Sequence, residues 1–360
     1  MKAPIVIDTG SATCRAGFAD DTLPRVIVQT LIARPSEQII KIAPQFKDQY
    51  LVGAEAFEKR GTFKLKHPVQ EGVIIDWSGI VHLWRRVYEK ELQGSEQRRA
   101  LVLTESPTQS SEDRQKVLDI LFNDLKVPSV YIQDTASLAL HASGLKTGVV
   151  LDLGCDTTTC VAISDGTVLR ETLQSTSFAG KALTEFLTLE VMNRGAATWS
   201  TTAEIVRANE IREQVCFVKL SSDEAEVPPV TVVDGFGENV VIEKEQWTLG
   251  EALFNPSLAK SDAPGIDRLV LDTISKAPEA LRSTLFQNIV LVGGTSKMKG
   301  LATRLNQELG RSAPEGVAVN VVNDQATAGV AAWVGAARLA SSDRDKLEGK
   351  WITKDTSMLD

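Results

Sequence analysis

The sequence predicts an α/β protein built as two similar lobes, and three observations predict it. Short apolar runs that read as buried strands alternate with amphipathic helical segments. An apolar strand ending in Asp-x-Gly occurs twice, and a third strand runs into a helix through a glycine pair. Strands alternating with helices indicate layered α/β architecture. A chain of 360 residues has the length for two large lobes of about 100–200 residues each.

The predicted strands are 5–8, 100–104, 130–132, 148–152 and 288–292, each a short apolar run of the kind buried on both faces. Between them, Ile80, Leu83, Trp84, Val87 and Glu91 fall three or four apart over 77–92, and all but Glu91 are apolar, so one helical stripe faces a core. Ser110 or Ser111 can cap the next helix, whose buried face is Val117, Leu118, Leu121, Phe122 and Leu125 and which Pro128 ends. Asp134 or Thr135 can cap a third helix that stops at Gly144, and a fourth spans 301–309 after the turn 293–300.

The echo compares 5–11 with 149–155. Each is an apolar strand ending in Asp, one residue, then Gly, and the copies lie 152 − 8 = 144 positions apart. One such turn would mean little, because Asp-x-Gly after a strand is common. Two at this spacing suggest lobes that open alike. Residues 31–72 have few long apolar runs, as do residues 222–250, and both read as insertions on the outer edges.

Composition narrows the function. Lys and Arg number 39 against 47 Asp and Glu, a formal charge of −8, which disfavours direct nucleic-acid binding. Cys14, Cys155, Cys160 and Cys216 form no Cys-x-x-Cys pair, and only three histidines occur, so a zinc site and a Ser/His/Asp constellation are both disfavoured. Few, irregularly spaced cysteines fit a reducing compartment. The N-terminus reads as a strand rather than a signal peptide, and no apolar run approaches the roughly 18–20 residues that span a bilayer.

The turns point to a polyphosphate. Glycine lets backbone amides approach phosphate oxygens closely, and Gly10 with Ser11 and Gly154 with its successors could form two sides of a clamp. Asp8 and Asp152, at the strand ends, could hold the water shell of Mg²⁺, which takes one or two carboxylates and keeps several waters. Arg15 could reach a phosphate as a cation. The segment 291–295 suits close contact with sugar or phosphate, or is a structural turn; it is neither a Walker loop nor a Gly-x-Gly-x-x-Gly fingerprint.

The residues 8–18, Asp-Thr-Gly-Ser-Ala-Thr-Cys-Arg-Ala-Gly-Phe, resemble the first phosphate loop of the actins. Pro24-Arg25, Ala33-Arg34-Pro35, 50–61, Lys66-His67-Pro68, Trp77, 104–107, 142–144, 201–204, 251–257, 293–295, 333–335 and 351–354 continue the likeness in order over nearly the whole chain. The resemblance implies an actin-like ATPase fold, the type shared by actin, heat-shock chaperones and sugar kinases, with ATP or ADP and Mg²⁺ between two lobes. The first lobe would comprise 1–140 and 332–360, with an outer insertion at about 31–72. The second would comprise 141–331, with an outer insertion at about 180–258. By position, Gly10, Ser11, Ala12 and Arg15 would meet phosphate, and Asp8 and Asp152 would hold the metal through water. Gly154, Cys155 and Asp156 would form the second phosphate turn. Arg212 and Glu213 would meet the nucleoside, and Gly293, Gly294 and Lys297 would lie against the nucleotide.

The departures bear on hydrolysis. The second loop reads Gly154-Cys155-Asp156-Thr157-Thr158-Thr159 where actins have Gly-Asp-Gly-Val-Thr-His, and Thr135 stands where their water-orienting glutamine does, unless Gln133 or Asp134 substitutes. Hydrolysis rests on positioning that water, so Asp152, Thr135 and Thr159 are weak catalytic candidates, and at most a weak ATPase is implied. Asp156 places a carboxylate near phosphates unless a cation offsets it. Lys297 and Met298 replace methionine and tyrosine, and Gly329 replaces a lysine, which removes a ring and a cation from the base pocket. The chain ends at Asp360 without the family's basic and aromatic tail, which argues against ordinary polymerisation. Cys14 and Cys216 read as packing residues, and Cys155 as packing or reactive.

The resemblance therefore implies an actin-related subunit of a cytoskeletal or chromatin-associated complex, partnered by actin-fold or actin-binding proteins. It would be cytoplasmic and cytoskeletal, or nuclear. The alternatives are a divergent filament-forming actin with slow ATPase activity and a sugar kinase of the same fold.

Overall fold

The computed structural model describes residues 2–94, 96–221, 227–234, 237–342, 347 and 349–355. The chain divides into two units, Met1–Gly144 with Val330–Asp360, and Leu145–Gly329.

The first unit is built on a five-stranded sheet in the order Val130–Asp134, Leu101–Glu105, Ile5–Thr9, Thr13–Phe18, Val26–Gln29. The first three strands run parallel and the last two are added antiparallel. Alternate residues of a strand point to opposite faces, and this sheet is covered on both. Ile5, Ile7, Leu101 and Leu103 pack with Ile80, Leu83, Trp84, Leu121 and Leu125. Val6 and Val102 pack with Trp333, Ala336 and Ala337, from the helix Ala331–Ser341.

Two helical expectations need adjusting, and a third is narrowed to one of its two candidates. The helix Trp77–Arg85 carries the predicted stripe, but the chain then widens into π-helical turns over Arg86–Glu91. Glu91 lies on the exposed side, paired with Arg86 at 2.7 Å. Ser110 caps the next helix through the Asp113 amide, but Pro128 does not end it. The helical turns stop at Asp124, and Lys126 takes a left-handed conformation with φ 55°. Asp134, not Thr135, caps the helix Thr135–Ala142 by accepting from the Ser137 amide at 2.6 Å. Residues 31–72 contain a small sheet, ordered Leu51–Val52, Ile32–Pro35, Phe63–Lys66, closed over Leu31, Ala33 and Ala56.

The second unit repeats the scheme. Gly148–Leu153 runs antiparallel to Thr158–Ser164 and parallel to Ile289–Val292, which is itself parallel to Val321–Val322. The helices Gly180–Asn193, Thr202–Val215, Ile266–Lys276 and Leu301–Ser312 contribute to its core, and Thr201 with Glu204 closes a capping box on the second of them. Of the stretch 222–250, residues 222–226 and 235–236 lie outside the described residues, as does the tail 356–360. Among the described residues no helix is long and apolar enough to cross a membrane.

Candidate functional site

Each unit places one Asp-x-Gly turn at the end of its central hairpin. In the first, Thr9 pairs with Cys14 across the ladder and the Gly10 amide donates to the Thr13 carbonyl at 3.0 Å. In the second, Leu153 pairs with Thr158 and the Gly154 amide donates to the Thr157 carbonyl at 3.0 Å. The offset is constant: 152 − 8, 154 − 10 and 157 − 13 all equal 144. The echo in the sequence is thus one hydrogen-bonded turn built twice.

The first turn is satisfied from within its own sheet. Asp8 is only 5% exposed, and both its oxygens are engaged. Arg15, directly opposite on the neighbouring strand, donates from Nη1 to Oδ2 at 3.0 Å, and Thr104 donates to Oδ1 at 2.7 Å. Arg15, expected to reach a phosphate, is therefore paired with the very carboxylate expected to serve the metal. Thr30 holds the turn's carbonyls, donating its hydroxyl to Gly10 at 2.8 Å and its amide to Ala12 at 2.9 Å. Ser11 sits between them at the turn.

The second turn is held by neighbouring helices. The Gly154 carbonyl accepts from the Gly180 amide at 3.1 Å and the Thr295 hydroxyl at 3.3 Å, and the Cys155 carbonyl accepts from the Lys181 amide at 2.7 Å. Gly180 and Lys181 open the helix Gly180–Asn193, whose free amides suit this task. Gly293 closes on the same spot with φ +92°, where a Cβ would lie 2.4 Å from Asp152 Oδ1 and 2.4 Å from the Leu153 carbonyl oxygen. Glycine is required there for both reasons. Gly294 meets nothing within 4 Å, so the two glycines of the pair differ in kind.

Arg212 is buried beside this turn, 4% exposed. Its Nε donates to the Thr184 hydroxyl at 3.1 Å, and Nη2 donates to Asn209 Oδ1 at 3.0 Å and Glu213 Oε1 at 3.3 Å. Burial lowers its guanidinium from the ordinary range, with Glu213 acting against that shift. Burial, then the negative charge of Asp156, pushes the Cys155 thiol up to about 12, with Arg212 and Lys181 opposing. A thiol so protonated at neutral pH is not a reactive nucleophile, which corrects that reading of Cys155. The same balance shows that Arg212 and Lys181 supply positive charge at the turn containing Asp156.

A family model described as Actin matches residues 1–356. The chain belongs to the actin family. It is an actin-like nucleotide-binding protein, and its mixed α/β architecture is the actin-like ATPase fold; members of the family generally bind ATP or ADP with a divalent metal.

The structure places the positions at which the sequence reading expects a departure from the family. Thr135 heads the helix it begins. Gln133 accepts from the Tyr131 hydroxyl at 2.9 Å and donates to Asp134 Oδ2 at 2.9 Å, while the other Asp134 oxygen caps the helix. Gln133 and Asp134 are thus both committed to neighbours. Thr159 sits opposite Asp152 on the ladder. Thr135 belongs to the first unit, Asp152 and Thr159 to the second.

The residues expected beside the base separate. Met298 is 9% exposed and joins the second unit's core, so it offers no stacking surface. Lys297 is exposed, and a Cβ on Gly329 would lie 3.2 Å from its Cε and 3.4 Å from its Nζ. The ammonium of Lys297 therefore lies where a side chain at 329 would begin. Thr30, Thr184, Asn209 and Lys181 were not foreseen. Only Lys181 carried a signal, as a cation just after the glycine that opens a helix.

Proposed function

We propose that this protein binds Mg-ATP, hydrolyses it weakly or not at all, and serves as a subunit of a larger cytoskeletal or chromatin-associated assembly. The observation that carries the reading is the turn built twice, each time after a strand-terminal aspartate. The amides around Gly10, Ser11 and Ala12, and around Gly154, Cys155 and Asp156, would hold phosphate oxygens. Arg212 and Glu213 would meet the nucleoside, and Gly293, Gly294 and Lys297 would lie against the nucleotide. The fit rests on the open space beside Gly294, where a Cβ would meet nothing within 4 Å, and on the cations that offset Asp156. Mg²⁺, when bound, neutralises phosphate charge. Because Arg15 and Thr104 already occupy both Asp8 oxygens, contact with the ion through water suits Asp8 and Asp152 better than direct ligation.

Weak turnover is supported by the committed hydrogen bonds of Gln133 and Asp134 and by threonine at 135 and 159. The test is to load the protein with Mg-ATP, remove free nucleotide, wait several hours, denature it and identify what was bound. Intact ATP is expected; conversion to ADP would sink the hydrolysis argument. The same reading puts the protein in the cytoplasm with the cytoskeleton, or in the nucleus, among actin-fold or actin-binding partners.

A second reading, a filament-forming actin with slow ATPase activity, is favoured by the small outer sheet, beside which Ile42 stands 82% exposed. Sedimentation of the pure protein with Mg-ATP over a concentration series separates the two. A pellet above a threshold concentration would favour the filament.

A further inference from the structure

The helix Gly180–Asn193 connects the second turn to Arg212 through one buried side chain. Gly180 donates its amide to the Gly154 carbonyl at 3.1 Å. One helical turn later, the Thr184 hydroxyl lies 3.1 Å from the Gly180 carbonyl oxygen and 3.1 Å from Asn209 Oδ1, and it accepts from Arg212 Nε at 3.1 Å. A threonine hydroxyl has one hydrogen and two lone pairs. The hydrogen is shared between the two acceptors, leaving a lone pair for the guanidinium. With Nε on Thr184 and Nη2 on Asn209 and Glu213, the planar fork of Arg212 has a single direction left for Nη1. Among the described residues Nη1 has no hydrogen-bond partner. Nη1 is not among the buried polar atoms that lack a partner, so its two hydrogens are open to an acceptor that is not part of the chain.

We propose that Thr184 is a positioning residue: it fixes Arg212 relative to the second turn, so that Nη1 presents its two hydrogens to an oxygen of the bound nucleotide, on the sugar or on a phosphate. The proposal rests on the nucleotide-binding reading and adds to it a residue that touches no ligand. It also explains why a threonine is buried at the junction of two helices. Valine would fill that space without offering a lone pair to Arg212.

The test measures dissociation constants of the full chain for Mg-ATP and Mg-2′,3′-dideoxy-ATP, comparing the parent with Thr184→Val, Thr184→Ser and Arg212→Ala. Thr184→Val and Arg212→Ala should each weaken Mg-ATP binding about tenfold or more, as expected for one hydrogen bond to a charged group. Thr184→Ser should stay within about twofold of the parent, because it keeps the hydroxyl. Combined with Arg212→Ala, Thr184→Val should weaken binding no further. A loss confined to ATP would identify a sugar hydroxyl as the acceptor, and an equal loss for both nucleotides a phosphate oxygen. Should Thr184→Val fail to fold, Asn209→Leu removes the nearer of the two Nη2 acceptors from a partly exposed site and should weaken binding in the same direction. Parent-like binding by Thr184→Val, failure of serine to rescue, or additive losses would overturn the proposal while leaving the nucleotide reading intact. A parent chain that binds neither nucleotide would overturn both.

Discussion

The two Asp-x-Gly turns share a backbone and differ in what steadies them. The first is self-contained: Arg15, Thr104 and Thr30 come from its own sheet or the chain next to it. The second has Thr159 where the first has Arg15, and it takes its support from helix amides, the Thr295 hydroxyl and the cations Lys181 and Arg212. The lesson is that a duplicated backbone device need not duplicate its electrostatics. The first turn should tolerate change in remote helices, whereas the second should register changes in the packing of 180–193 and 202–215.

The sharpest way to break this comparison is at the glycines. Gly293→Ala puts a Cβ 2.4 Å from Asp152 Oδ1 at a φ of +92°, and we expect a loss of about 3 kcal/mol in urea unfolding, from steric strain in a left-handed conformation. Gly10→Ala, whose Cβ would sit 3.5 Å from the Thr13 oxygen, should cost under about 1 kcal/mol. Equal losses would show that the turns are not steadied differently. Next in size is the ion pair. Arg15→Met leaves the buried Asp8 carboxylate with Thr104 alone and should cost about 2 kcal/mol, whereas Thr159→Val should cost under about 1 kcal/mol; the same unfolding series measures both. The smallest effect is in pH. Burial raises the Cys14, Cys155, Cys160 and Cys216 thiols to about 12. A raised thiol pKa means the folded state holds its proton more tightly. These groups therefore contribute stability that is fully present below the unfolded thiol value of about 8.5 and lost as pH rises from there toward 12. At pH 8 a thiol reagent should label Cys155 at least tenfold more slowly than the unfolded chain. Rapid labelling would show that the second turn is more open than its helices imply.

Much of this was legible because it is encoded locally. The strands 5–8 and 148–152 came from short apolar runs, the caps Ser110 and Asp134 from residue type and place, and the two turns from a motif at constant offset. The Asp8–Arg15 pair was within reach: a hairpin that pairs Thr9 with Cys14 must put 8 opposite 15. Other features depend on contacts that no local pattern carries. Thr104 reaches Asp8 across 96 positions and Arg212 reaches Thr184 across 28. Neighbouring residues of one short turn also part company, Met298 into the core and Lys297 into solvent, because the direction of a side chain there follows from tertiary packing rather than periodicity. The helix expected to run to Pro128 stopped earlier because its last turns widen and Lys126 turns left-handed.

The helix Ala331–Ser341 has a consequence for synthesis on the ribosome. Its Trp333 donates from the indole to the Val6 carbonyl across 327 positions, and Ile352 bridges the sheet edge at Val130. The first unit is therefore assembled from two stretches of chain, one synthesised before the second unit and one after it, while the second unit is a continuous stretch lying between. The sheet of the first unit must wait, with one face uncovered, until the second unit has been made and the helix that follows it emerges.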